Sequence, residues 1–410
     1  MNIGIVTTWA ETGAGHVSKA YEQALGREHN IYIYARGVHS AKHDPIWDRP
    51  NVTWAPYHPC STGTFKYHFT RWVKRYSIDT LIFNEQRHWG TVVVARRLGV
   101  LVGAYVDYYT ADTVPFFDLY DFLICNTRRH YSVFNNHPQS CYCPWGTHVH
   151  LYQPQPTSKE RPVTFIISAG MSGGNARVHP WMDRRGVGLA MRVFQRVKGD
   201  CKLIVLSQIP LSECPQDWKN AVNNDHRIEF VVGTFNPVPY YLGDVYVYPS
   251  RLDGIGLTLP EALSSGIPVI TTNCPPMNEF VEEGRNGKLI DVKEFHGRPD
   301  GYYWPEAICD EDSLAEAFQY YIRHPKQAIS QGLTARLQAE QNLSWERNSA
   351  FLTAWLGKQK KLNKRSGIDT KLTESAALKY DRARNPTPLQ LTLLGVKSLF
   401  LYIITKLTRL

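Results

Sequence analysis

Between Val245 and Asn273 the chain reads VYVYPSRLDGIGLTLPEALSSGIPVITTN, two apolar runs flanking a loop and a short helical stretch. Val245 to Tyr248 and Val269 to Thr272 are β-branched and aromatic enough for buried strands, and Leu259 to Ser265 suits a short helix closed by Gly266. Strand, loop, helix and strand in that order form a parallel crossover. The loop is therefore predicted at the carboxyl ends of parallel strands, where open α/β sheets hold ligands. Gly254 and Gly256 remove side chains so that backbone can approach a ligand, and the N–H groups of Leu257 and Thr258 fall at a helix N-terminus, which attracts phosphate. Asp253 and Glu261 bracket that anion site. A carboxylate repels phosphate, so each is better suited to accept hydrogen bonds from sugar hydroxyls.

In these residues the stretch SRLDGIGLTLPEALSSGIPVIT resembles the retaining glycosyltransferases of family 4, which have the GT-B fold. It departs from their pattern in carrying Asp253 in place of the more usual glutamate and Ile255 in place of phenylalanine. The resemblance implies an α/β architecture of two Rossmann-like domains facing across a cleft. It also implies that Asp253 contacts the transferred sugar, that the Gly256, Leu257 and Thr258 backbone meets the diphosphate, and that Glu261 holds the nucleotide ribose.

At 410 residues the chain fits two domains of ordinary size plus an extension, and a hydrophobic content of 43% excludes a disordered chain. The amino terminus, MNIGIVTTW, enters a strand-like run with no basic leader, apolar stretch or cleavage site, so export is not expected. Eight cysteines are scattered, and several lie in apolar runs where a thiol behaves as a small hydrophobe; only Cys141 and Cys143 are close together, which is weak ground for zinc. The net charge of +9 is accounted for by residues 358–410, where twelve Lys or Arg face Asp369, Glu374 and Asp381. Basicity thus belongs to the tail and says nothing of the site.

The first half alternates strand-like and helix-like runs. Strands are predicted at Ile3 to Trp9, Ile31 to Ala35, Val52 to Tyr57, Thr80 to Asn84, Leu101 to Val106, Phe122 to Cys125 and Cys141 to Pro144, with helices near 15–27, 65–76 and 89–98. Gly13-Ala14-Gly15 opens the first helix in a first βα turn; position and resemblance together imply a donor-phosphate contact from Gly13 and Gly15. FNEQRHWG and YVDYYTAD end the fourth and fifth strands, gathering Glu85, Gln86, His88, Asp107 and Tyr108 on one rim. Glu85, His88 and Tyr108 are candidates for the acceptor side, with a surface histidine as the other reading of His88. Family members often have a histidine where this chain has Asp107, which makes Asp107 the sugar-facing candidate.

CPWGTHVHLYQPQPTSKERP reads as a linker, and the expected division is 1–147 for an acceptor domain, 148–162 for the linker and 163–344 for a nucleotide-sugar domain. Residues 345–357 are expected to cross back as a helix. In the second half VTFIISAG is a strand, SGGNARVHPWMDRR an irregular loop, and GVGLAMRVFQRV a one-faced helix with Arg184 and Arg185 at its amino end. Those cations suit a diphosphate leaving group, and the resemblance points first to Arg185, then to Arg184 or Arg177. It also places Gly233 and Thr234 near the nucleobase. The loop KEFHGRPDGYYWPEAI is long, and its aromatics fit a lid or ordinary surface packing.

Beyond Gly357 come a basic run, a polar linker and, over 389–410, an amphipathic helix with Lys397, Lys406 and Arg409 off its apolar face. That pattern suits a helix lying in the membrane interface, with the basic run facing anionic lipid; packing on the core is the rival, and a nucleic-acid partner is disfavoured for want of aromatics. The whole reads as a cytoplasmic, peripherally membrane-associated retaining transferase. It would move sugar from a nucleotide-diphosphate donor, a uridine diphosphate sugar favoured, to a glycan or lipid-linked acceptor. Positioning and the Arg184, Arg185 and backbone groups carry such a reaction, with no cofactor or metal required. A GT-B epimerase and a non-catalytic glycan-binding protein are the alternatives.

Overall fold

A computed structural model describes residues 1–37, 41–58, 60, 62–155, 161–178, 183–362 and 370–384. The described residues divide into two compact units: one takes those of Met1–Ile124, Phe134–Cys141 and 352–384, the other those of Cys125–Val133 and Tyr142–Phe351.

In the first unit the apolar runs form β1 (Asn2–Thr8), β2 (Asn30–Arg36), β3 (Val52–Trp54), β4 (Thr80–Phe83), β5 (Leu101–Val106), β6 (Phe122–Cys125) and β7 (Ser140–Tyr142). They make a seven-stranded sheet in the order β3-β2-β1-β4-β5-β6-β7, with β1 parallel to both β2 and β4. β4 and β6 are buried along their whole length, which is why such strands read as continuous apolar runs rather than alternating ones. β3 stops short of the expected Tyr57 because Pro56 has no N–H to continue the ladder. Helices α1 (Gly13–Leu25), α2 (Lys66–Arg75) and α3 (Trp89–Arg97) fall where the periodicity puts them.

Thr12 caps α1, its hydroxyl accepting from the Gly15 amide at 3.2 Å. A Cβ on Gly15 would lie 2.0 Å from the Ala10 carbonyl oxygen, so the close turn demands glycine here. Gly15→Ala should lower stability by about 1–3 kcal/mol, read from urea unfolding, since inserted atoms must displace backbone; an unchanged midpoint would show that the turn yields freely.

The second unit carries a six-stranded sheet of β8 (Val163–Gly170), β9 (Cys201–Ser207), β10 (Ile228–Val232), β11 (Val245–Tyr248), β12 (Val269–Thr272) and β13 (Gly287–Ile290), ordered β10-β9-β8-β11-β12-β13. Alternate side chains of β8 enter opposite layers. Phe165, Ile167 and Ala169 join a core with α6 (Val187–Phe194) and α9 (Glu311–Arg323), while Ile166 joins Tyr240, Leu259 and Leu263 beside α8 (Thr258–Ser264) and Ala335 of α10 (Pro325–Asn342). α7 (Gln216–Asn224) follows β9.

Several expectations change. The irregular loop after β8 begins with a helix, α5 (Ser172–Val178), and the long aromatic loop is a β-hairpin of β14 (Val292–His296) and β15 (Glu306–Cys309). The expected boundary at 147 moves: Cys125–Val133 and Tyr142 to Thr147 belong to the second unit. Thr147 is held there by its amide donating to Leu343 O at 2.7 Å and its carbonyl accepting from Trp345 N at 3.0 Å. The single helix expected over 345–357 is two short ones, α11 (Trp345–Asn348) and α12 (Leu352–Leu356), and the chain changes unit at Leu352.

The polar linker after 369 is also corrected. Thr370–Arg384 is a helix, α13, in the first unit. Its apolar content is too low for a stripe to announce it; instead Asp381 accepts from the Trp89 and Gly90 amides at 3.1 and 2.7 Å, capping α3, and Glu374 pairs with Arg97 at 3.1 Å. The interface helix expected over 389–410 lies outside the described residues. No described helix is long and apolar enough to cross a membrane. All eight cysteines are free thiols.

Candidate functional site

The order of the second sheet decides where its site falls. β8 and β11 are neighbours at the point where strand order reverses, so the segments leaving their carboxyl ends diverge and leave a crevice. After β8 the chain reaches Arg184 and Arg185; after β11 it reaches Asp253. The two loops are fastened, since Arg184 O accepts from Arg251 N at 2.8 Å and from Ser250 Oγ at 3.1 Å. Gly186, at φ +70°, lets the turn pass: a Cβ there would lie 2.4 Å from Pro249 O. Asp183 then caps α6, accepting from the Val187 and Gly188 amides at 3.1 and 2.8 Å.

Arg185, Asp253 and Glu261 come together around tyrosines. Arg185 Nη1 donates to Ser168 O at 3.0 Å, in space left by Gly170, whose missing Cβ would lie 3.2 Å from it. Burial pulls the Arg185 pKa down, but Tyr248, Tyr246, Asp253 and Tyr240 more than reverse this, so the guanidinium stays charged. Asp253 accepts from the Tyr248 hydroxyl and, at 3.3 Å, from the Ile255 amide. Burial pushes its carboxyl up; the Arg184 charge, the Tyr248 hydrogen bond and the Arg185 charge outweigh that and hold it below the usual range. Glu261 accepts from the Tyr240 hydroxyl at 2.9 Å and is also bonded to Tyr152. Burial dominates there and raises it to about 7.

Gly256 takes φ +85°, as its loop requires, whereas a Cβ on Gly254 would meet no atom within 4 Å and so faces open space. Leu257 precedes α8 as its N-cap with no side-chain cap; the Leu259 amide is on Gly256 O at 3.0 Å and Pro260 has no N–H, which leaves the Thr258 amide as the first-turn donor without an intrahelical acceptor. Gly233 follows β10 with its amide on Ser207 O at 2.8 Å, and Thr234 is exposed beside it. Arg177 is exposed on α5, and Arg184 is exposed where Arg185 is not.

Three supports of this loop were not read from the sequence. Arg129, in α4 (Arg128–Phe134), is buried and donates to the Asp253 carbonyl and, at 2.7 Å, to Pro275 O. His130 bonds Gly254 O at 3.1 Å and burial keeps it neutral. Glu279 caps α4, accepting from Arg128 and Arg129 amides at 2.6 and 2.9 Å. Trp304 of the hairpin lies 5.5 Å from the Arg129 guanidinium, so that part of the long loop packs on the support. Nothing local in TRRHYSVF distinguishes these residues from a surface helix.

On the first unit, β1 and β4 adjoin where strand order reverses, and the expected rim residues follow β4 and β5. Glu85 stands at φ +50°, an unusual backbone for a residue with a side chain. It is hydrogen-bonded to Asp107, whose pKa is driven well up by burial, by the charge of Glu85 and by that bond, against the pull of Arg87. Two carboxyl groups can bond only by sharing a proton. Arg36, 1% exposed and also unforeseen, donates to Asn84 O near both acids. Arg87 stacks over the Tyr108 ring at 3.8 Å. The Gly15 amide, expected to meet phosphate, is already taken by Thr12; Gly13 is exposed at the helix start. His88 has Nε2 3.6 Å from Asp381 and Nδ1 3.4 Å from Thr91 Oγ1, both inside the unit.

Asp107→Asn keeps a donor to Glu85 without a titrating proton, so the variant should be more stable than the parent at pH 7. Asp107 has a raised pKa, so the stability it contributes is complete at acid pH and fades as pH rises; the variant should flatten that decline. Urea midpoints from pH 5 to 9 check this, and a large loss at pH 7 would mean that the pair is not protonated.

Solved structures share this architecture over nearly their whole length. Sucrose-phosphate synthase from Thermosynechococcus elongatus superposes with a TM-score of 0.66 at 15% identity, covering 87% of this chain and 98% of that one. HepE of Anabaena, solved with UDP and glucose, gives 0.64 at 15% identity over 87% and 99%. The fold is thus the GT-B glycosyltransferase fold, two Rossmann-like α/β units. The model of the family described as glycosyl transferases group 1 matches residues 175–298, the span that holds Arg184, Arg185, Asp253 and Glu261. The chain is related to that family. Among curated relatives, the GtfA subunit of the UDP-N-acetylglucosamine–peptide N-acetylglucosaminyltransferase of Streptococcus pneumoniae is 44% identical over 54 residues, 13% of this chain and 11% of that protein. The chain therefore spans only a small part of that relative's length.

Proposed function

We propose that this chain is a glycosyltransferase that takes a sugar from a nucleotide-diphosphate donor held by its second unit. The supporting observation is the joining of Arg185, Asp253 and Glu261 through Tyr240, Tyr246 and Tyr248 at the reversal of strand order. A charged guanidinium and the Thr258 amide at the start of α8 stabilise the negative charge that builds on a departing diphosphate. Asp253, ionised, accepts from hydroxyls of the transferred sugar; Glu261 does so for the ribose; Gly233 and Thr234 flank the base. A uridine diphosphate sugar is favoured as donor, in keeping with the UDP in the HepE structure. The configuration at the transferred carbon is retained. On the first unit Glu85, His88 and Tyr108 are the groups offered to a glycan or lipid-linked acceptor, with Asp107 the sugar-facing candidate.

Thermal-shift screening across uridine, guanosine and adenosine diphosphate sugars, followed by a transfer assay on the stabilising donor, tests the reading. Stabilisation by none of them would sink it. The basic amphipathic sequence 389–410 supports anchoring at an anionic membrane surface. Removing it should abolish sedimentation with phosphatidylserine vesicles while donor binding persists; undiminished sedimentation would refute the anchor.

A further inference from the structure

The second unit holds a cluster that plays no part in donor binding. His148 Nδ1 is in contact with Glu346 Oε1, and His150 Nδ1 lies 3.9 Å from the same oxygen. One ligand atom from each of the three residues lies within 4.8 Å of the others. We propose that His148, His150 and Glu346 bind a divalent transition-metal ion.

The scaffold beneath them is fixed by backbone rather than by the three side chains themselves. Thr147 and Ser344 pair as a parallel bridge, through Thr147 N to Leu343 O at 2.7 Å and Trp345 N to Thr147 O at 3.0 Å. Gly146 permits that approach, because a Cβ there would lie 2.4 Å from Leu343 O. Trp145 and Trp345 pack with ring centroids 4.5 Å apart on the same two segments. His148 is thereby set opposite Glu346 by residues that bind no metal, which is the preorganisation a coordination site needs. Ser344, the N-cap of α11, supplies an outer contact, its Oγ 3.2 Å from Glu346 Oε2, leaving Oε1 to face the imidazoles.

The donor set selects the ion. Two imidazole nitrogens and one carboxylate oxygen match zinc with a fourth position for water, and suit zinc, nickel or copper over magnesium or calcium, which prefer oxygen. In a tetrahedron with bonds of about 2.1 Å the ligand atoms stand roughly 3.4 Å apart. The 3.9 Å separation of His150 from Glu346 is near that, and the closer His148 contact opens as the ion enters. His150 is exposed and free to turn on its side-chain torsions. The ion would clip the segment after Gly146 to α11 and need take no part in sugar transfer. This inference does not rest on the transferase reading.

The experiment uses the full chain stripped with a chelator, titrated with ZnCl2 by calorimetry and with CoCl2 by visible absorption. One zinc per chain is expected, with a higher Tm and the d–d bands of nitrogen- and oxygen-bound cobalt. His148→Ala, His150→Ala and Glu346→Gln should each weaken zinc by about 10–100-fold; His150 is exposed, so its variant keeps the fold even if the others do not. Magnesium chloride at the same concentration should leave Tm unmoved. No zinc uptake, or equal uptake by the parent and the His150 variant, or an equal response to magnesium, would each overturn the proposal.

Discussion

Replacing Arg185 with alanine should cut the rate of sugar transfer by about 10²–10³-fold while the chain stays folded. The guanidinium is the one cation of the pair that is drawn inside: its Nη1 bonds Ser168 O at 3.0 Å, and Asp253 and three tyrosines surround it. A fixed positive charge in such surroundings needs no reorganisation when charge develops on a leaving diphosphate, so its effect belongs to the transition state and should appear in kcat more than in KM. Arg185→Lys keeps the charge but loses the planar fork, and should fall between. Arg184 is exposed, and its replacement should cost less because water screens it. Steady-state kinetics with circular dichroism on each variant decides the matter. Equal losses for the two arginines, or an unchanged kcat in Arg185→Ala, would remove Arg185 from its role.

Nucleotide binding should release a proton near neutral pH, and Glu261→Gln should abolish the release. The Glu261 carboxyl titrates at about 7, against 4.5 for the unperturbed side chain, because burial outweighs the hydrogen bonds from Tyr240 and Tyr152 and the charge of Arg185. Ribose hydroxyls donating to it favour the ionised form and expel the proton. Calorimetry at pH 6.5 in two buffers of unlike ionisation enthalpy measures the number released, and identical heats in both would refute the assignment. The same shift bears on stability. A carboxyl whose folded pKa is raised contributes stability that is complete below about 4.5 and is lost as pH climbs through about 7, amounting to about 3 kcal/mol by pH 8. Glu261→Gln should therefore be more stable than the parent at pH 8 while binding nucleotide about 10-fold or more weakly, since a bond to a charged acceptor is lost. Stability given up for binding in this way is common at functional sites.

The strands of both sheets were legible because burial on two faces leaves an apolar run bounded by turn residues, and most boundaries fell within a residue or two. Asp253 and Glu261 were legible for a different reason: both sit on one continuous strand, loop and helix, whose spacing alone sets them on either side of α8's first turn. Helix α13 was not, because Asp381 contributes by capping a helix almost three hundred residues earlier, and no local period records such a contact. The hairpin of β14 and β15 was missed where Gly, Pro and Asp between its strands obscured a weak alternation.

Taken by itself, the sequence determined the two-unit α/β architecture and the loop that bears Asp253, since hydrophobic periodicity and glycine placement act over a few residues and need no distant partner. Only the tertiary structure decided which carboxyl groups are pushed up in pKa and which are held down. Glu261 and Asp253 stand in the same loop and helix, yet one is driven up by burial and the other held down by Arg184, Tyr248 and Arg185. Likewise Arg129, His130 and Arg36 became part of the candidate sites only because strand order returned them to residues remote in the chain. Charge and solvation depend on what surrounds a group in space, and that neighbourhood is written across the whole fold rather than in any one stretch of it.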